Sequence, residues 1–245
     1  AASDVYKRQY SQSGNPMEAF MKKSKFFSAR NIAYLAVLLA LVIVLQLIGT
    51  LIGNLGVTAP SLVLIPIVLG AILLGPVGGG FLGFAFGLVV VLAGVFGMDK
   101  FTFILFSDHP FLTVLLCLVK GTAAGAVAGL LFKVLRGKNE NVAVVVASLS
   151  APVVNTGLFI LGALLMSDTL SANFVADGQT VLYFLIVGCA GLNFIFEFII
   201  NAVASPAIYT VARIVGRKVG ARSPRPQERA DEQTVQALPR KETIK

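Results

Sequence analysis

Tryptophan is absent from this 245-residue chain, histidine occurs once and cysteine twice. Charged residues make up only 13%, against about 25% in an average globular protein. Each shortage excludes something. The two cysteines, Cys117 and Cys189, sit in apolar runs with no CxxC spacing and no cysteine–histidine cluster, so neither a zinc site nor a redox pair is indicated. A single histidine, His109, provides no histidine-based catalytic constellation. No G-x-x-x-x-G-K-[ST] occurs, so the chain does not hydrolyse nucleotide through a P-loop. The scarcity of charge excludes an ordinary soluble enzyme and a disordered regulator. No catalytic residue, cofactor or metal is therefore expected.

What the chain has in abundance is apolar sequence: 56% hydrophobic residues and a mean hydropathy of +0.85. Its net charge of +8 is unevenly spread. Between Asn31 and Ala212 there are five basic and six acidic residues; the other fifteen basic and six acidic residues lie in the two ends. The basicity belongs to the tails, and a nucleic-acid surface is excluded. Residues 1–16 share no composition with the rest of the chain and resemble a translated adapter or assembly scar, which puts the native start at Met17 or Met21. Residues 17–30 form a basic N-terminal segment, 31–215 a membrane domain, and 216–245 a disordered basic tail suited to anionic lipid headgroups. The run Ile32–Ile52 exceeds a signal-peptide core and lacks a cleavage site, so it reads as a first membrane helix.

A hydrocarbon core of ~30 Å needs about 20 helical residues. Asn31–Ile52, Ser61–Leu74, Gly78–Phe96, Phe111–Leu135, Val142–Met166 and Val181–Val215 meet or approach that length. The expected fold is an all-α, six-helix membrane bundle. The second span is short, carries Pro66 and needs Val57–Pro60 as an extension or a kink. Gly75-Pro76 makes a tight turn to the third, because proline cannot continue the helical ladder. The positive-inside rule places both termini in the cytoplasm, since the segments 17–30, 133–141 and the C-terminal end carry nearly all the Lys and Arg. The outside loops 97–110 and 167–180 hold Asp99, Asp108, Asp168, Asp177 and His109, and are long enough to act as lids. Acids also accumulate there simply because the translocation bias tolerates them.

Three ridges of small residues suit close helix approach: Ala33, Ala36 and Ala40 in the first span, Gly79-x-x-x-Gly83-x-x-x-Gly87 in the third, and Gly121-x-x-x-Gly125-x-x-x-Gly129 in the fourth. The glycine ridges fit packing within the bundle; the alanine ridge, on an edge helix, is able to face another protein. Ionisable residues inside spans are costly and face an interior, a cavity or a partner. Only Lys120 and Glu197 lie well inside. Lys120 is nine residues into the fourth span, about 13 Å deep at 1.5 Å per residue. Asn155-Thr156 and Asn193 lie at similar depth, and Asn193, Glu197 and Asn201 make one i, i+4, i+8 stripe. Lys120, Asn155, Thr156, Asn193 and Glu197 are the candidate site for a small polar solute bearing a carboxylate. The alternative is that Lys120 and Glu197 neutralise each other across a helix interface.

The chain resembles the substrate-binding S component of an energy-coupling factor (ECF) transporter, a bacterial vitamin importer. The resemblance spans roughly Ser28 to Arg217. It rests on the six-span topology, the ridge Ala36-Val-Leu-Leu-Ala40, and the hairpin Ile65-Pro-Ile-Val-Leu-Gly-Ala-Ile-Leu-Leu-Gly-Pro76 followed by the glycine ridge. It implies a multi-pass plasma-membrane protein with a vitamin as ligand. It also implies that Ala36 and Ala40, with Ala33 as neighbour, dock onto a transmembrane coupling protein driven by two cytoplasmic ATPase subunits. The stretches Pro152–Phe159 and Asn193–Asn201 look similar to the pantothenate-type branch. One departure is Lys120, where relatives often carry arginine; it keeps the charge and loses the bidentate fork. The lack of tryptophan disfavours vitamins clamped by an indole, while Phe and Tyr leave riboflavin, thiamine and folate open. A stand-alone proton-coupled carrier using Glu197, and a ligand-free membrane scaffold, are the readings from other classes.

Overall fold

The computed structural model describes residues 28–53 and 62–220, so the leader, the extension Val57–Pro60 and most of the C-terminal tail lie outside the described residues. The described chain is helical throughout. Its elements are α1 (Ala29–Gly53), α2 (Leu64–Val95), α3 (Lys100–Asp108), α4 (Pro110–Leu135), α5 (Glu140–Leu164), α6 (Ser167–Asn173), α7 (Val181–Tyr183) and α8 (Leu192–Gly220). Between α7 and α8 runs a π-helical stretch, Phe184–Gly191. Five helices among the described residues are long and apolar enough to cross a membrane: α1, α2, α4, α5 and the continuous Val181–Val215.

Six spans were expected, and the difference lies in α2. Its backbone leaves helical geometry at Gly75, where φ is 80° and ψ −175°. That left-handed φ is open to glycine and penalised for other residues, and Pro76 starts the next segment with a preset φ. The two arms fold back on each other: a Cβ at Gly79 would collide with Ala71, and one at Gly70 with Leu82. In an unbroken helix Ala71 and Gly79 would stand about 12 Å apart. The Gly75-Pro76 turn is therefore real. The first arm, Leu64–Leu74, is about 16 Å long and too short to cross ~30 Å by itself.

Local chemistry sets the other boundaries. Asp99 caps α3, its Oδ1 accepting from the Phe101 and Thr102 amides at 3.1 and 3.4 Å. Asn139 caps α5 in the same way, accepting from Asn141 and Val142 at 3.0 and 3.3 Å. These caps satisfy donors that a helix leaves open at its N-terminus. Pro110 opens α4, where its missing N–H costs nothing.

Packing places α4 between α2 and α5, α8 against α5 and α2, and α1 on α2. One apolar cluster joins Leu38 and Val42 of α1 to Ile67, Leu82 and Phe86 of α2. A second joins α2, α4, α5 and α8 through Val68, Ala128, Ala147 and Ile208. A third lies at the end of the bundle that carries α3 and α6, around Leu105, Leu116, Met166 and Leu185. Large apolar side chains such as Val37, Phe111, Leu161 and Val203 are exposed all round, as a lipid-facing surface requires.

The two glycine ridges pack on each other. A Cβ at Gly79 would meet the carbonyl oxygen of Gly125, one at Gly83 that of Gly121, and one at Gly87 that of Cys117. The pairing runs antiparallel and brings the α2 and α4 backbones into direct contact. This is what small residues four apart permit in a membrane helix pair.

Candidate solute-binding site

The site begins with Lys120, halfway along α4. Its Nζ lies 5.0 Å from the ring centroid of Phe159 on α5 and 5.8 Å from that of Phe86 on α2. Both rings offer their electron-rich faces to the cation. No carboxylate of the described residues stands within 4 Å of it, so the Lys120–Glu197 ion pair considered as an alternative is not formed. A cleft of about 240 Å³ between α4 and α5 reaches Lys120 past Leu116, Val119 and Leu158.

Phe159 lies one turn beyond Asn155 on the same face of α5, which joins the lysine to the polar residues deeper in the bundle. Asn155 is buried, 7% exposed, and its neighbour Thr156 is partly buried. On α8 the stripe continues. Asn193 donates from Nδ2 to Glu197 Oε1 at 3.0 Å, and Asn201 donates from Nδ2 to the Glu197 carbonyl at 2.8 Å. Glu197 is 2% exposed and Asn201 fully buried. Ser205, one turn on, gives its hydroxyl to the Ala202 carbonyl at 2.8 Å, the acceptor that Pro206 leaves without a helical donor.

These bonds all stay within α8. α8 packs on α5, and five polar atoms on these two helices go unanswered: Asn155 Oδ1, Asn193 Oδ1, Glu197 Oε2, Asn201 Oδ1 and Ser148 Oγ are buried without a hydrogen-bond partner. Leaving such a group unmet costs about 1–3 kcal/mol. A seam built only for helix association would bond these groups to each other. Pro152 adds to the imbalance, since it withholds the N–H that the Ser148 carbonyl accepts in a regular helix.

The two segments expected as lids meet over one end of the bundle. His109 Nε2 lies 3.2 Å from each carboxylate oxygen of Asp168. The Thr169 hydroxyl donates to Asp108 Oδ2 at 2.8 Å, and the Thr113 hydroxyl to Met166 Sδ at 3.6 Å. The backbone N–H of Thr169, aided by the His109 side chain, holds the Asp168 carboxyl below the usual carboxylate range. Beneath this clasp, Phe101 of α3 packs on Phe159 and Phe174 with centroids 5.9 and 4.9 Å apart, and Phe174 stacks on Phe184 at 5.9 Å. The aromatic group lies between the clasp and Lys120.

Sequence reasoning named Lys120, Asn155, Thr156, Asn193 and Glu197 and overlooked Ser148 and the rings. Ser148 was within reach, seven residues before Asn155 on the same helical face. Phe86 carries no local signal, because only the α2–α4 contact brings it to Lys120. The alanines Ala33, Ala36 and Ala40 lie elsewhere: all three are exposed on α1, while Leu38 and Val42 of the same helix enter the core.

A membrane bundle that holds a cation and open amide oxygens among its helices has the build of a solute-handling transport subunit. A family model described as "ECF transporter, substrate-specific component" matches residues 30–209, and the chain belongs to that family. Its members are membrane-embedded substrate-specific subunits of transporters and are not enzymes. No curated protein and no solved structure matches the chain.

Proposed function

We propose that this subunit captures a small water-soluble vitamin, pantothenate being the best fit, and delivers it together with an ATP-driven coupling module. The observation that carries this reading is Lys120, a cation with no carboxylate partner among the described residues, set between two rings beside buried amides. An anionic hydroxy-amide supplies both a carboxylate for the lysine and polar groups for Asn155, Thr156, Asn193 and Glu197. The solute enters beneath the segments 97–110 and 167–180, on the outer side if both termini are cytoplasmic as the distribution of basic residues implies. Ala33, Ala36 and Ala40 form the docking ridge for the transmembrane coupling protein, and two cytoplasmic ATPase subunits drive the cycle.

A thermal-shift and native mass-spectrometry screen of the purified protein against B vitamins tests the first half; no shift with any vitamin sinks it. Uptake measured with and without a coupling module tests the second. Solute entry that needs no partner favours the rival reading, a stand-alone proton-coupled carrier. That rival draws on one observation, the buried and half-unpartnered carboxyl of Glu197. Its signature is uptake that collapses with the proton gradient and survives ATP depletion.

A further inference from the structure

The α5–α8 seam is unbalanced in a specific direction. Of its five unanswered atoms, three are amide oxygens able only to accept, Asn155 Oδ1, Asn193 Oδ1 and Asn201 Oδ1, and a fourth is the carboxyl oxygen Glu197 Oε2. The amide nitrogens of Asn193 and Asn201 are already committed to Glu197, which fixes the free oxygen as the remaining atom on each. Ser148 Oγ has a proton to give and finds none of these acceptors within reach. At Lys120, 5.0 Å from the Phe159 ring, the balance reverses, since the ammonium offers only donors. One pole of the site asks for an anion and the other for N–H or O–H groups.

We propose that the seam formed by Ser148, Asn155, Asn193, Glu197 and Asn201 reads the hydrogen-bond-donating end of a two-ended solute whose anionic end is held by Lys120. The proposal rests on the solute-binding reading above and narrows it to one chemical class: a carboxylate carrying hydroxyl, amide or ureido donors at a distance from its charge. A carboxylate with an apolar or acceptor-only remainder leaves the α8 oxygens as they are and gains nothing from them. A donor-rich solute with no anionic group forgoes Lys120.

Binding to the purified full chain, by calorimetry, separates these classes. Pantothenate and biotin carry a carboxylate and remote donors; lipoate and nicotinate carry a carboxylate without them; riboflavin and thiamine carry donors and no carboxylate. The strongest binder is expected in the first pair. Asn201→Leu and Glu197→Gln should each weaken that binder about tenfold or more, the effect of losing a charge-assisted or buried hydrogen bond. The second variant keeps size and shape, which guards against a folding defect in the first. A strongest binder from either of the other pairs overturns the proposal. So does unchanged affinity in both variants, which would mean that water fills the seam. Failure of every solute to bind the wild type is a different result: it removes the solute-binding reading itself, and this proposal with it.

Discussion

Where α2 meets α4, the ridge Gly79–Gly83–Gly87 lies on Gly121 and Gly125 so closely that a single added methyl would strike a carbonyl oxygen. Where α5 meets α8, Ala147 and Ala204 belong to one apolar cluster, and five polar atoms on the two helices are left unanswered. Among the described residues, the first seam leaves no buried side-chain polar atom unanswered and has no space to spare. The second holds unspent acceptors. Lipid is as apolar as the interior, so burial of apolar surface does not by itself drive helices together in the membrane. Close backbone packing seals the first contact, while the second is left with unmet hydrogen-bonding capacity.

The contrast breaks most visibly at Gly83. Gly83→Val forces a branched side chain into the Gly121 backbone, and loss of a folded, monodisperse protein in detergent is expected, beyond the 1–3 kcal/mol or so typical of overpacking. A variant that purifies and melts like the wild type would mean that the seam is not close-packed. A similar small-to-large change on the exposed ridge should act quite differently. Ala36→Leu with Ala40→Leu is expected to leave the melting temperature and solute affinity unchanged while abolishing uptake in the presence of the coupling module. Retained uptake would remove these alanines from the docking surface.

Smaller effects sharpen the second seam. Lys120→Met should weaken an anionic solute by about 10- to 100-fold, the scale of a hydrogen bond to a charged group; equal affinity would make the lysine a packing residue. Asn155→Leu removes an unmet acceptor, so thermal stability should hold or rise by up to about 1–3 kcal/mol while affinity falls. A variant that loses both would argue that Asn155 supports the fold. The smallest effect concerns the clasp. Because the Asp168 carboxyl titrates below its usual value, its contribution is complete above about pH 4 and is lost as the pH falls lower. Asp168→Asn should abolish that acid-side loosening, read as proteolytic access to the α3–α6 region. An identical acid profile in both proteins would show that the clasp carries no weight.

Much of this arrangement is written in the sequence, though unevenly. Gly75-Pro76 announces its turn because only glycine tolerates the required φ and proline cannot carry the ladder onward. The glycine ridges disclose their packing because a four-residue repeat of hydrogen side chains has few other uses in a membrane helix. The family resemblance likewise matches the family to which the chain belongs. Rotation of each helix about its own axis is much harder to read. With apolar residues on every face, periodicity does not distinguish the lipid side from the protein side. That is why Lys120 and Asn193 could be seen at similar depth while the failure of Lys120 to pair with Glu197 could not. It is also why Phe86 and Phe159 emerged as neighbours of Lys120 only from the packing. The shortness of the first arm of α2 was legible; the extension Val57–Pro60 expected from the sequence lies outside the described residues.

The π-helical stretch Phe184–Gly191 has a further consequence for the stripe on α8. Each residue of an α-helix turns the chain by about 100°, and a π turn holds an additional residue in its loop of hydrogen bonds. The stretch therefore works as a phase offset between Phe184, which belongs to the aromatic group near the clasp, and Asn193, which belongs to the polar seam. Removing one residue from it would let the helix relax to α geometry and rotate these two groups against each other. The chain length of this stretch, more than the identity of any residue in it, keeps the aromatic group and the polar stripe in register.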